Sequence, residues 1–240
     1  MNGRRNRNRA GFCIIAGVCS WFGLPLTAYS EPNDFGPITL MVEHSVVAVV
    51  CSTAGPQSAT RIHGTAFFIN AEGRFLTAAH VVNGLHNGDP RCGSPAVYWP
   101  GAEGEADQPE FYTFKFALNE CRVDAQMDLA VCKTIENVAQ HPKLATKPLG
   151  LPIDGRIEPN GTPVAFTGFT LDSLAPLTAR SQLVGYQALN LLLDKAPWPG
   201  ASGAPAYNIE GRVIGLLVQR MSDIAIARSG PAIKEFLDQR

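Results

Sequence analysis

Three polar side chains in this chain stand where chemistry could be built around them. Ser202 lies in Pro197-Trp198-Pro199-Gly200-Ala201-Ser202-Gly203-Ala204-Pro205, a stretch that holds no charge. A serine hydroxyl attacks a carbonyl only when a base takes its proton and donors meet the oxyanion that forms. Gly200 lets the backbone turn so that its own N–H and that of Ser202 converge on one point. Gly203 removes a side chain that would crowd a substrate, and Pro205 ends the turn. The competing reading is a plain Gly/Pro turn. The G-x-S-x-G elbow between a strand and a helix is absent, because position 204 is alanine.

A base must come from elsewhere in the chain. His44, His63, His86 and His141 lie beside loops or strand ends and read as surface or satisfied polar residues. His80 differs: it ends the second strand of a hairpin in Phe75-Leu76-Thr77-Ala78-Ala79-His80, where small neighbours leave room for a ring to face a cleft. A third group has to orient that imidazole and stabilise its charged form. Asp128 directly precedes the apolar run Leu129-Ala130-Val131, whereas its competitor Asp124 sits in a polar loop, so Asp128 is preferred. Such an acid is also the ordinary turn residue before a strand.

The elements that must carry these residues are short. β-Branched and apolar runs at 45–52, 64–70, 74–80, 96–100, 111–121, 127–134, 162–169, 180–187, 188–194, 204–209 and 212–219 are separated by Gly, Pro, Asn and Asp. This spacing predicts an all-β sandwich or barrel set. Ala71-Glu72-Gly73 reads as the turn of a hairpin. Helical periodicity is weak until 229–240, with Ser229 as cap, Pro231 in the first turn, and Ile233, Phe236 and Leu237 on one face. The Pro- and Gly-rich stretch 136–161 reads as a linker between two small β-barrels, 31–145 with His80 and Asp128 and 146–240 with Ser202 and the C-terminal helix.

Residues 1–30 are set apart from this core. Four arginines without an acid precede an apolar stretch of about 16 residues, too short for an ordinary membrane span, and Ala28 and Ser30 follow. This is the order of a secretory signal; an uncleaved anchor is the alternative. The expected product is exported, periplasmic or extracellular, with no stable membrane insertion after cleavage. Four of the 20 basic residues would leave with the leader and all 21 acidic ones remain, a net charge of about −5. No basic stripe is left to neutralise phosphates, which argues against a nucleic-acid partner. Cys51, Cys92, Cys121 and Cys132 remain, an even number suited to two disulfides, with three pairings open and buried free thiols as the alternative. Their spacing does not suit zinc, and neither a metal nor a cofactor is expected.

Read together, GTAFFINAEGRFLTAAHVV (64–82), MDLAV (127–131) and PGASGAP (199–205) resemble the chymotrypsin-fold, trypsin-like serine peptidases, and most of all their bacterial high-temperature-requirement (HtrA) branch. The resemblance covers most of residues 40 to 228. It implies two six-stranded antiparallel β-barrels with a site between them. It further implies His80 as general base and then acid, Asp128 as its orienter, Ser202 as nucleophile, and the N–H groups of Gly200 and Ser202 as oxyanion hole. The reaction implied is hydrolysis of peptide bonds in polypeptide substrates through an acyl-enzyme. Ala196, Val218, Gln219 and Arg220 would border the pocket for the side chain before the cut, where no acid is evident, so a small or medium apolar side chain is expected. Position 201 is alanine where animal digestive members carry an aspartate that pairs with a new N-terminus, so that activation route is not expected. About 38 residues follow Ser202, too few for the peptide-binding module frequent in the HtrA branch. Asp194, eight residues before Ser202, matches an acid of many relatives and is set aside as structural. The rival function, from another class, is a catalytically silent peptidase-like binding protein; an esterase would share the chemistry but lacks the elbow.

Overall fold

The structure is a computed structural model that describes residues 34–53, 60–87, 92–100, 112–142, 144 and 146–239. The leader expected at residues 1–30 lies outside them. All described residues belong to one compact unit. After a short helix, α1 (Gly36–Glu43), the chain runs through β1 (Val46–Thr53), β2 (Thr60–Phe68), β3 (Arg74–Thr77), α2 (Ala79–Asn87), β4 (Cys92–Trp99), β5 (Tyr112–Lys115), β6 (Arg122–Asp124) and β7 (Leu129–Lys133). The second half comprises β8 (Pro163–Thr170), β9 (Ser173–Gln187), β10 (Asn190–Leu193), β11 (Pro205–Tyr207), β12 (Val213–Met221), β13 (Ile224–Ser229) and the C-terminal helix α3 (Gly230–Asp238).

Both halves are antiparallel, as the alternating short runs imply, but they close differently. The second is a closed barrel, β10-β13-β12-β11-β8-β9. The first corrects the expected six-stranded barrel: it is a seven-stranded sheet in the order β5-β4-β1-β2-β3-β7-β6. The sheet curls far enough for Phe116, just past β5, to form a single bridge with Thr134, just past β7. The Ile135 N–H donates to Lys115 O at 2.8 Å there. A full ladder does not form because β7 already pairs with β6 on that side, three residues long and tied by Arg122↔Val131 and Asp124↔Leu129. The Cys121–Cys132 disulfide fastens the approach to β6 onto β7. Of the three pairings left open by the sequence, this is the one bond whose two partners are described; Cys51 is also disulfide-bonded.

β1 reads as an unbroken Val-rich run because both of its faces are covered: Val46 to Cys51 are all buried. The hairpin turn at 69–73 forms as expected, with Ile69 N–H donating to Arg74 O and the Asn70 side chain accepting from Arg74 N–H. One apolar core spans the two halves. Val46, Phe67, Phe75, Trp99 and Leu129 of the first are contiguous with Phe169, Tyr207, Val213, Ile233 and Phe236 of the second. A smaller core of Val164, Phe166, Leu183, Leu191, Leu193 and Ile214 fills the barrel.

Two expectations need correction, on the first helix and on His80. The stretch 136–161 does connect β7 to β8, and it is packed rather than loose. Val138, Leu144 and Leu151 are buried, Leu151 N–H donates to Phe68 O at 2.9 Å, and Ile153 bridges Val213. Its prolines remove backbone donors, and among its remaining groups Leu151 N–H pairs with the first half and Asp154 N–H donates to Val213 O of the second. Helix α1 was not foreseen. It lies on the second barrel, where Thr39 Oγ1 and Tyr207 Oη are 3.3 Å apart, the Thr178 hydroxyl donates to Glu43 Oε1 at 3.1 Å, and Phe35 meets Tyr207 edge-on. Most important for the site, His80 does not end a strand. The β3–β7 ladder stops at Thr77↔Ala130, and His80 is the second residue of α2, whose Val81, Val82 and Leu85 are buried. Helix α3 forms where expected and buries Ile233 and Phe236, although the Ser229 hydroxyl makes no cap bond. Among the described residues no helix is long and apolar enough to cross a membrane.

Candidate active site

The carboxylate side of the site is a tight turn. Asp124 Oδ1 accepts from both Gln126 N–H and Met127 N–H at 2.9 Å, which folds residues 124–127 back on themselves. Asp128 then adopts φ +52°, a left-handed conformation that costs a non-glycine residue about 1 kcal/mol and that Asp tolerates better than most. The reward lies in where its side chain points. Asp128 Oδ1 accepts the backbone N–H of His80 at 2.9 Å, and Oδ2 stands 2.8 Å from His80 Nδ1. A backbone bond, Ala79 N–H to Asp128 O at 3.2 Å, completes the contact. The first N–H groups of a helix have no partner within it. Asp128 therefore serves two purposes with one side chain: it satisfies the opening turn of α2 and orients the ring carried by that turn. An ionised carboxylate only accepts, so the proton on the imidazole belongs at Nδ1, which leaves Nε2 as the acceptor. The ring is about half exposed, with its side chain at 48%.

Ser202 is held by a loop that glycine alone permits. Gly200 has φ +99° and Gly203 φ +87°. A Cβ on Gly200 would stand 2.6 Å from Phe169 O, and one on Gly203 would collide with Thr65 O and the Thr77 hydroxyl. The loop is tied internally by Ala201 N–H to Trp198 O and Ala204 N–H to Ala201 O, and to β12 by Gly203 N–H to Leu217 O at 2.7 Å. Neither the Gly200 N–H nor the Ser202 N–H donates to a protein acceptor among the described residues. Paired free amides next to a hydroxyl can receive the negative oxygen of a tetrahedral adduct.

Thr65, which the sequence reading did not single out, couples this loop to the half that bears His80. Its hydroxyl donates to Gly200 O at 2.8 Å and accepts from Phe169 N–H at 2.9 Å, and its own N–H donates to Ser202 O at 2.8 Å. The Thr77 hydroxyl fixes Thr65 O in turn. Next to it, a Cβ on Gly64 would lie 2.6 Å from Val81 Cγ2 and 3.0 Å from Ser202 O. The serine backbone and the first turn of α2 thus meet across one glycine. The structure joins His80 and Asp128 directly and brings the Ser202 segment against theirs. Among the described residues the Ser202 hydroxyl makes no hydrogen bond to the ring.

A cavity of about 200 Å³ opens beside Ser202 and Gly200. Pro197, Trp198, Pro199 and Leu217 give it apolar walls, and Gln219 and Arg220 supply its polar edge. Ala196 and Val218 do not line it. A bulge between Leu217 and Gln219 displaces Val218, which packs on the main core instead. Trp198 is anchored by its indole N–H donating to Phe169 O at 3.0 Å. Asp194 accepts from the Ser181 hydroxyl and Gln182 N–H, a tie between β9 and the segment after β10. Of the other histidines, His141 packs against the edges of Tyr112 and Phe114, and His44 accepts the Trp99 indole N–H at its carbonyl. The His86 side chain lies outside the described residues. Among the described residues no cluster of three or more His, Cys, Asp or Glu could hold a metal ion.

No curated protein matches this chain. The model of the trypsin-like peptidase domain family matches residues 64–216, from the middle of β2 to the middle of β12, a span that contains His80, Asp128 and Ser202. With well over half of its length matched, the chain belongs to the trypsin-like peptidase domain family.

Proposed function

We propose that this protein is an exported serine endopeptidase that cleaves polypeptides through an acyl-enzyme, with Ser202, His80 and Asp128 as its catalytic residues. The observation that carries the reading is the double contact of Asp128 with His80, through the backbone N–H and Nδ1, beside a serine loop whose Gly200 and Ser202 amides have no acceptor among the described residues. Such contacts tighten when substrate binds, so a serine not yet bonded to its base is compatible with the role.

In this mechanism His80 Nε2 takes the Ser202 proton as Oγ attacks the scissile carbonyl. Asp128 holds Nδ1–H and stabilises the imidazolium. The N–H groups of Gly200 and Ser202 receive the oxyanion. His80 returns its proton to the departing amine, and water, activated by the same ring, releases the acyl group. The HtrA-like branch is the finer family placement this reading adopts, with the site between the curled seven-stranded sheet and the closed barrel. Export rests on the charged, apolar and small-residue order of residues 1–30 and on the disulfide between Cys121 and Cys132.

The test is labelling of the intact chain with a fluorophosphonate probe, followed by mapping of the modified residue. The expected result is modification at Ser202 that is lost in Ser202→Ala and strongly slowed in His80→Ala. A folded wild-type protein that resists the probe would instead make it a silent binding protein.

A further inference from the structure

We propose that Arg228 is a positioning residue for Asp128: from the barrel that carries Ser202 it grips the turn that aims the carboxylate at His80. The inference rests on the peptidase reading above and adds a residue to it. Arg228 lies on β13, where it pairs with Asn190 of β10 and Leu216 of β12, so its backbone is fixed within the barrel wall. Its side chain crosses to the other half, and Nε–H donates to Met127 O at 2.5 Å.

The location of that acceptor matters. The Met127 carbonyl and the Asp128 N–H share one planar peptide unit. Fixing the oxygen fixes the plane about which Asp128 rotates to its left-handed φ of +52°. The other described ties of this turn, to Asp124, Ala79 and His80, all lie within the first half. Arg228 is the tie from the second half. It closes a circuit: Gly203 N–H bonds Leu217 O, β12 pairs with β13, Arg228 holds Met127, and Asp128 holds His80. The nucleophile loop and the acid–base pair are thereby referred to one frame. Burial disfavours the charged guanidinium, and the carboxylates of Asp128 and Asp124 oppose that effect. Arg228 is not among the residues that line the cavity at Ser202; its described side-chain bond is to the turn that carries Asp128.

The experiment compares Arg228→Met, which keeps the apolar volume, and Arg228→Lys, which keeps the charge, each alone and in an Asp128→Asn background. Rates of fluorophosphonate labelling are measured as kinact and KI, with thermal unfolding alongside. The expected result is a kinact about tenfold lower for Arg228→Met with KI within about twofold, because misplacement by a fraction of an ångström slows chemistry more than binding. Arg228→Lys recovers most of the loss. In the Asp128→Asn background Arg228→Met has no further effect, since coupled residues are not additive. Wild-type kinact in Arg228→Met, equal or better labelling in the Met than in the Lys variant, or an undiminished effect without the Asp128 carboxylate would each overturn the proposal. If Arg228→Met does not fold, Arg228→Gln in the same two backgrounds decides by the same criteria. Absence of labelling in wild type sinks the peptidase reading itself and this inference with it, and is distinct from all of these results.

Discussion

Replacing Thr65 by valine removes one hydroxyl, keeps the side-chain shape, and asks whether the serine loop depends on the opposite half of the molecule. The hydroxyl makes two bonds, to Gly200 O at 2.8 Å and from Phe169 N–H at 2.9 Å, at a residue with no exposed surface. Leaving a buried donor or acceptor unpaired costs about 1–3 kcal/mol, and Gly200 is partly rather than fully buried, so a total of about 3 kcal/mol for the two groups is expected. For a domain of this size each kcal/mol lowers Tm by about 2–4 °C, which gives a drop of roughly 6–12 °C. The labelling rate at Ser202 should fall about tenfold as well, because the Gly200–Ala201 peptide that Thr65 no longer holds lies directly between the Gly200 and Ser202 amides and sets their relative placement. Thr77→Val is the matched control. It deletes a buried hydroxyl that bonds Thr65 O and not the loop, so it should cost stability but leave labelling within about threefold of wild type. Differential scanning calorimetry and probe kinetics on both variants supply the measurement. A Thr65→Val protein that labels at the wild-type rate, or a Thr77→Val protein slowed equally, refutes the argument that Thr65 positions the oxyanion donors.

Other outcomes follow from the same geometry. Asp128→Asn keeps the bond to the His80 backbone but offers the ring a competing donor, so kcat should fall by about 10³–10⁴ with little change in Tm; activity within tenfold of wild type in a peptide-cleavage assay contradicts the assigned role. Gly203→Ala forces a Cβ into Thr65 O and the Thr77 hydroxyl at φ +87° and should lower Tm by well over 5 °C, the left-handed backbone alone costing about 1–2 kcal/mol; an unshifted melt would show that the loop is laxer than it looks. The bonds from Arg156 hold the Asp154 carboxyl below its ordinary range, so its contribution is present above the unfolded-state pKa and fades as pH falls through the lower folded value. Asp154→Asn should therefore lower Tm at pH 7 by an amount that shrinks as pH falls below the ordinary carboxylate range, a trend read by melting both proteins down an acid series; a deficit that does not change with pH assigns the loss to packing instead.

The sequence disclosed the parts of this molecule that depend on neighbours along the chain. Val46–Cys51 is apolar throughout and mostly valine, and it became a strand covered on both faces. Ala71-Glu72-Gly73 made its turn because Gly73 takes φ +102°. Even the glycines flanking Ser202 could be understood before any coordinates, since few residues other than glycine adopt φ near +90° without strain. His80 was assigned to the wrong element for an instructive reason. Thr77 to Val82 suits a strand by composition, and only the stop of the β3–β7 ladder together with the acceptor offered by Asp128 turns it into a helix start. Thr65 and Arg228 left no local mark at all. Their partners lie 135 and 101 residues away, and a lone threonine or arginine in a strand says nothing about what it meets across a fold. The bulge at Val218 escaped notice likewise, because an extra residue in one strand is defined only by its partner.

Helix α1 carries a consequence for how the molecule must be assembled. Thr39 and Glu43 find their partners at Tyr207 and Thr178, so a segment near the start of the chain has no seat until the far barrel has closed. During synthesis those first turns wait for more than 160 residues to follow. Contacts of such sequence separation form late and slowly. The protein can therefore complete its structure only after the whole of the second half is available, and a chain interrupted before residue 207 would display an apolar helix with nowhere to dock.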